Sequence, residues 1–366
     1  MTQVAIVGCG IVGATIAYEL SRVAELTVTV FDQQPAPVES SLSICPTSTG
    51  AALGVLMGAI SKKEKGNSLQ MRLESLRYYE RLIPELEALT GLKIPFNRQG
   101  ILMLQFHEDL SSWEKLIEIR RSQGWTLEIL GLDRLKPNYP FLNLDQVKAA
   151  IYSPDDRQVN PVALTQVLIA GAKQRGVTFH FDTQVIGAND REVHTTNGTR
   201  AIDWLVISAG LGSTPLTKSL EQPIDIRPVL GQAIQLRLSQ PLATSGSLPV
   251  ITGNDVHMVP LEGSDYWIGA TVEFPSESGE VQPDAASFQA VMQQAIAFCP
   301  SLANAETIRT WYGLRPRPQG RPAPIIEWLP GYQSILLATG HYRNGVLLAP
   351  ATAERVRRAI LQPRIV

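Results

Sequence analysis

The stretch VAIVGCGIVGATIAYELS, residues 4–21, changes its periodicity at a cluster of glycines. Gln3 to Val7 is a continuous apolar run with β-branched residues, the pattern of a buried strand. Ile11 to Val23 then carries apolar residues at helical spacing, and Leu26 to Phe31 alternates threonine with valine or leucine before ending at Asp32. Together these segments predict a β-α-β unit of about thirty residues. Gly8, Gly10 and Gly13 form a Gly-x-Gly-x-x-Gly turn between strand and helix. The first permits the tight turn, the second admits a pyrophosphate close to the backbone, and the third lets the helix pack against the strand. The helix start offers free N–H groups and a partial positive charge, while the Asp32 carboxylate stands where a ribose diol would need an acceptor. This combination points to an adenine dinucleotide, either NAD or FAD.

Working outward, the chain has 366 residues, 44% apolar and 18% charged, enough to bury a sizeable core. Lys and Arg total 32 against 34 Asp and Glu, a net charge of −2, so no global field would draw in nucleic acid. Cys9, Cys45 and Cys299 form neither a metal clip nor a disulfide framework and fit a reducing, cytoplasmic setting. Val4 to Tyr18 is preceded by no Lys or Arg and reads as mature structure instead of a signal peptide. Gly50 to Ile60 is roughly half the length of a membrane-spanning helix, so a soluble chain is expected.

Pro35 to Gly58 is too long and small-sided for an ordinary connection and reads as a functional loop. Asn67 to Thr90 predicts a helix stopping at Gly91, and Pro95 to Ile151 reads as an inserted lobe of short elements. Asn160 and Pro161 predict the cap and first position of a helix to Gln174, followed by buried strands at Val177 to Phe181 and Ile202 to Ala209. Arg227 to Glu273 reads as antiparallel sheet, and Ala285 to Phe298 as a helix. Trp311 to Pro324 is a Gly- and Pro-rich stretch, after which a strand at Ser334 to Ala338, a turn, and a helix near Pro350 to Leu361 close the chain.

Three small-residue turns, Thr47 to Gly54, Ser208 to Ser213 and Gly340 to Gly345, favour FAD over NAD. A nucleotide fold revisited by its own C-terminus suits a long cofactor whose ring lies between two lobes. The helix after the last turn would favour the negative charge that a reduced flavin carries.

The strings VAIVGCGIVGATIAYELS (4–21), VNPVALTQVLIAGAKQRGV (159–177), WLVISAG (204–210), WYGLRPRP (311–318) and ATGHYRNGVLLAPATAE (338–354) resemble, in order, the FAD-dependent D-amino-acid oxidase superfamily. The last string is particularly similar to glycine oxidases associated with thiamine biosynthesis. The resemblance implies an α/β fold: a discontinuous Rossmann-like FAD domain over 1–90, 152–222 and 306–366, and an antiparallel α+β substrate domain over 91–151 and 223–305. It implies non-covalent FAD, with Gly8, Gly10, Ile11, Val12 and Gly13 at the pyrophosphate and Asp32, where many relatives carry Glu, at the ribose. Thr47, Ser48, Thr49 and Gly50 to Gly54 would pass the flavin, Val185 would touch adenine, and Ala209 and Gly210 would flank the dinucleotide. Gly340, His341, Arg343, Asn344, Gly345 and Val346 would close around the flavin's pyrimidine end.

Arg315 matches the family's carboxylate-binding arginine, and a guanidinium fork suits that ligand. Arg343 is a second cation open to flavin, substrate or both. His257 stands where the oxidases usually place a tyrosine, and an imidazole can donate the same hydrogen bond. The implied reaction is oxidation of glycine, sarcosine or a small D-amino acid by hydride transfer to flavin N5, giving an imino or 2-oxo acid. Oxygen would accept the electrons and leave as hydrogen peroxide. Open alternatives are a dehydrogenase passing electrons to a quinone or protein, a flavin-binding protein without turnover, and an NAD-dependent dehydrogenase. Assembly as a homo-oligomer is compatible with the sequence.

Overall fold

A computed structural model describes residues 1–37, 47–243, 248–276 and 279–362. Cys45 and much of the small-residue stretch read as a functional loop lie outside the described residues. The strand Thr2–Val7 pairs in parallel with Leu26–Phe31 on one side and Trp204–Ile207 on the other. Thr178–His180 extends this sheet beyond Leu26–Phe31, and Ile335–Thr339 and Ile325–Trp328 extend it beyond Trp204–Ile207. Ile325–Trp328 alone runs antiparallel, so the six-stranded sheet is an otherwise parallel, doubly wound layer.

The helix Ile11–Leu20 is buried along its whole length. It packs against Pro161–Gln174 and Gly345–Leu361, so an element that would elsewhere show a polar face shows none. The Asn160 side chain caps the middle helix by accepting from Val162 N at 3.0 Å and Ala163 N at 3.1 Å. In the last helix Pro350 removes the N–H that would meet the Val346 carbonyl. The buried Tyr79 hydroxyl donates to that carbonyl instead, at 2.5 Å. Tyr79 belongs to the helix Asn67–Thr90, which ends at Gly91 in a left-handed cap.

A second sheet of eight strands runs Glu306–Pro318, Ile226–Arg237, Asp265–Gly269, Val256–Pro260, Val250–Gly253, Ile101–Gln105, Ala149–Ser153 and Glu128–Leu130. The lobe between Pro95 and Ile151 joins it through Ile101–Gln105, which pairs in parallel with Val250–Gly253. The helix Ala285–Phe298, capped by the Asp284 carboxylate, covers a hydrophobic core under this sheet.

Glu306–Pro318 is a long strand, and it pairs along its length with Ile226–Arg237 in the eight-stranded sheet, not with the nucleotide-side elements. Its prolines and glycine suggest a loop, yet an edge strand has one side with no ladder to break, so proline is tolerated there. No helix among the described residues is long and apolar enough to cross a membrane.

Candidate active site

A cavity of about 610 Å³ opens between the two sheets. At one end stands the glycine turn. Gly8 has φ +96°, and a Cβ there would lie 2.7 Å from the Ser208 carbonyl oxygen. A Cβ on Gly13 would fall 1.9 Å from the Gly8 carbonyl oxygen, so this helix meets the strand only without a side chain. Ile11 N donates to Thr49 Oγ1 at 3.0 Å, and Val12, next along the helix start, opens to the cavity. First-turn N–H groups have no acceptor within their own helix and suit an anion. The Asp32 carboxylate accepts from Cys9 N at 2.5 Å and Gln34 N at 2.8 Å, which fixes it at the rim with lone pairs to spare.

The expected binding residues largely converge. Gly8, Gly10, Ile11, Val12, Asp32, Thr47, Ser48, Thr49 and Gly54 line the cavity, as do Val185, Ala209, Gly210, Gly340, His341, Gly345 and Val346. Gly13, Gly50 and Asn344 do not. Gly13 serves packing. Gly50 lies within the turn that its N–H helps close by donating to Thr47 Oγ1, and Asn344 N is spent on the His341 carbonyl. Ser48 Oγ donates to the Leu314 carbonyl at 2.5 Å and Trp311 Nε1 to the Ala51 carbonyl at 3.2 Å, which pins this loop to the edge of the second sheet.

At the opposite end Arg315, His257 and Arg343 face the same space. Arg315 Nη1 donates to the Leu230 and Thr271 carbonyls at 3.1 and 3.0 Å. The guanidinium lies so close to Gly231 that a Cβ there would meet Nη2 at 2.1 Å. The buried Glu273 carboxylate braces this corner, accepting from Gln232 Nε2, Asp284 N and the Thr271 hydroxyl. Burial and the neighbouring Arg343 lower Arg315 to about 10, so it remains a cation at neutral pH. His257 shares a 2.9 Å hydrogen bond between Nδ1 and Thr252 Oγ1. Burial first, and then the charge of Arg343, push this imidazole down to about 4, which leaves it neutral. His341, paired with Thr352 Oγ1 at 2.9 Å, is lowered to about 4 by burial alone.

Leu230, Gly231, Thr252 and Thr271 were not singled out in the sequence. Only Gly231 left a signal: a glycine inside an alternating strand marks close backbone approach. Asp32 is the single acidic residue lining the cavity among the described residues, so the two ends differ in sign.

A family model described as FAD dependent oxidoreductase, DAO, matches residues 3–359. The chain is 28% identical to a glycine oxidase of Bacillus licheniformis, with 97% of this chain and 92% of that one covered. Among solved structures, glycine oxidase from Geobacillus kaustophilus superposes with a TM-score of 0.84 at 26% identity, covering 98% and 94% of the two chains. Iminodiacetate oxidase from Chelativorans sp. BNC1 superposes with a TM-score of 0.82 at 25% identity, covering 99% and 96%.

Proposed function

The chain belongs to the DAO family of FAD-dependent oxidoreductases, and from that premise we propose that it oxidises the carbon–nitrogen bond of a small amino acid held by its carboxylate on Arg315. FAD is its cofactor and glycine-oxidase-like amine oxidation its class of reaction. The glycine cradle fits the dinucleotide, because side chains at Gly8 or Gly13 would collide with backbone and prise the turn open, while Gly10 leaves the helix start clear for a pyrophosphate. On this reading Gly10, Ile11 and Val12 hold the pyrophosphate, Asp32 the ribose, and Val185 the adenine, while Gly345 and Val346 at a helix start meet the ring's pyrimidine end. The six-stranded sheet with 1–90, 152–222 and the chain after Pro318 forms the cofactor unit, and 91–151 with 223–318 the substrate unit.

Bound non-covalently, FAD supplies the two-electron acceptor. The protein's own contribution is alignment. Arg315, tethered by two carbonyls and backed by Gly231, presents a fixed fork to a carboxylate and so orients the α-carbon. Neutral His257 can donate one hydrogen bond where a tyrosine is usual, adding no charge. Side chains able to act as a strong base are missing from this end of the cavity among the described residues, which suits an amine that binds already neutral. The products are an imino acid that water opens to a 2-oxo acid and ammonia, or to a primary amine where nitrogen was alkylated. Oxygen, reduced to peroxide, is the proposed final acceptor.

The observation that carries this reading is the Arg315 guanidinium set in the cavity wall against Gly231. Anaerobic addition of glycine, sarcosine or small D-amino acids should bleach the flavin absorbance, and air should restore it with peroxide release. Recovery only with an artificial acceptor would identify a dehydrogenase, and no bleaching by any amino acid would sink the proposal.

A further inference from the structure

The cavity wall from Thr47 to Val55 is made mostly of Thr, Ser, Gly and Ala. Side chains this small have little surface with which to pack, so the wall cannot hold its own position. One end is tied to the sheet edge through Ser48 and Trp311. Past the other end the chain dives inward: Leu56, Gly58, Ala59 and Ile60 are buried, and their backbone groups need partners other than water. The buried Gln158 donates from Nε2 to the Leu53 carbonyl at 3.0 Å, and Arg72 Nη1 donates to the Met57 carbonyl at 2.8 Å. Asp156, just before the strand Arg157–Val159, and Arg120, on the helix Ser111–Ser122, are both 0% exposed. The Asp156 carboxylate accepts from Gly58 N at 2.6 Å, Ala59 N at 2.9 Å and Ile60 N at 2.8 Å. Arg120 donates from Nε to the Ala59 carbonyl at 2.7 Å, and from Nη2 to the Ser61 and Lys63 carbonyls at 2.7 and 2.6 Å.

Both Asp156 oxygens accept from N–H groups, which fits an ionised carboxylate. Opposite charges thus grip the two polar edges of one backbone stretch and meet through Ala59, whose N–H goes to the carboxylate and whose carbonyl goes to the guanidinium. Stripping two such groups of water is costly, and apolar packing of the same volume commonly gives equal or greater stability. Charged donors and acceptors add direction, since each hydrogen bond fixes one backbone atom in one place. That placement is handed to the wall without a break, because Val55 and Leu56 pair with Gln158 and Arg157, next to Asp156. Neither Asp156 nor Arg120 lines the cavity. We propose that they are positioning residues for the cofactor, a buried clamp that sets how closely the Thr47 to Val55 wall approaches the FAD held in the cavity. The inference rests on FAD occupying that cavity and not on which substrate is oxidised.

The test follows FAD release from the purified holoenzyme on dilution, as the rise of free-flavin fluorescence, beside the visible spectrum of the flavin that stays bound. Asp156→Asn keeps the shape but loses the charge and one acceptor, and should weaken FAD binding by about tenfold or more, the worth of one charge-assisted hydrogen bond, with a shifted visible band. Arg120→Lys keeps the cation without the fork and should weaken binding in the same direction by about threefold or more. The control is Leu302→Ala, in the core under the second sheet, which should lower the unfolding midpoint and leave FAD release unchanged. At saturating FAD, kcat of Asp156→Asn should fall while KM stays within about twofold, because the substrate end is untouched. Clamp variants that lose only stability, with flavin affinity and band as in the wild type, overturn the inference, as does a Leu302→Ala variant that releases flavin as readily as they do. Should Asp156→Asn fail to fold, Arg120→Lys decides by the same measurements. If amino acids do not bleach the wild-type flavin, the amine-oxidation reading fails, and FAD release still decides this inference.

Discussion

The two ends of the cavity are built by different means. The glycine-turn end is founded on one continuous stretch, Thr2 to Asp32, which Thr49, Val185 and Ser208 to Gly210 close from elsewhere in the chain, and it works largely through backbone: a glycine turn, helix N–H groups and one carboxylate fixed by Cys9 N. The carboxylate end draws Leu230 and Gly231 from one strand, His257 from another, Arg315 from the sheet edge and Arg343 from the closing turn. The first uses helix-end N–H groups that any helix start possesses. The second must strip water from guanidinium groups, and the lowering of Arg315 is the trace of that cost. A local site is therefore specified by a motif, whereas a dispersed one is specified by packing.

That contrast can be broken most sharply at Gly13. Gly13→Val places side-chain atoms inside the Gly8 carbonyl, so the helix must retreat from the strand. The expected result is colourless protein and a stability loss of about 3 kcal/mol or more, read from flavin absorbance and the unfolding midpoint; a yellow variant of normal stability would show that the turn is slack. Arg315→Ala should do the reverse, keeping the yellow colour and normal stability while kcat/KM falls roughly a hundred- to a thousandfold. Gly231→Ala comes next. Its methyl would displace Nη2, so the Michaelis constant should rise roughly tenfold or more while flavin content holds. Should Gly231→Ala lower flavin content instead, the two ends would not be separable.

The same contrast explains what could be read in advance. The β-α-β unit, the capped helix Pro161–Gln174, the helix Ala285–Phe298 and the Gly91 stop follow from local periodicity and cap chemistry, and the structure places them there. Glu306–Pro318 was not legible as a strand, because the glycine and prolines of its second half weaken a strand signal that only the partner strand restores. At the site, Asp32 and the glycines were legible from spacing, while Arg315 was legible only through its resemblance motif, since an arginine between Leu314 and Pro316 announces nothing alone. Gly231, the Thr271 carbonyl and the Thr252 hydroxyl were not legible, because their roles exist only once distant strands pair.

Acid should act through the two buried imidazoles, His257 at the carboxylate end and His341 in the turn before the last helix. His341 in the folded protein is lowered to about 4, against about 6.5 in an unfolded chain. Between those values the unfolded state binds the extra proton, so the stability His341 contributes is complete above about pH 6.5 and is lost as pH falls toward 4. From pH 7 to pH 5 the loss should be on the order of 1 to 2 kcal/mol for this residue, with His257 adding in the same direction. The measurement is the unfolding midpoint across that range in wild type and His341→Asn. The variant should show a shallower slope, whereas Thr49→Val at the pyrophosphate end, which removes no titrating group, should leave the slope unchanged. Parallel curves for wild type and His341→Asn would mean that the imidazole reaches water, and that the turn before the last helix is less closed than its hydrogen bond to Thr352 indicates.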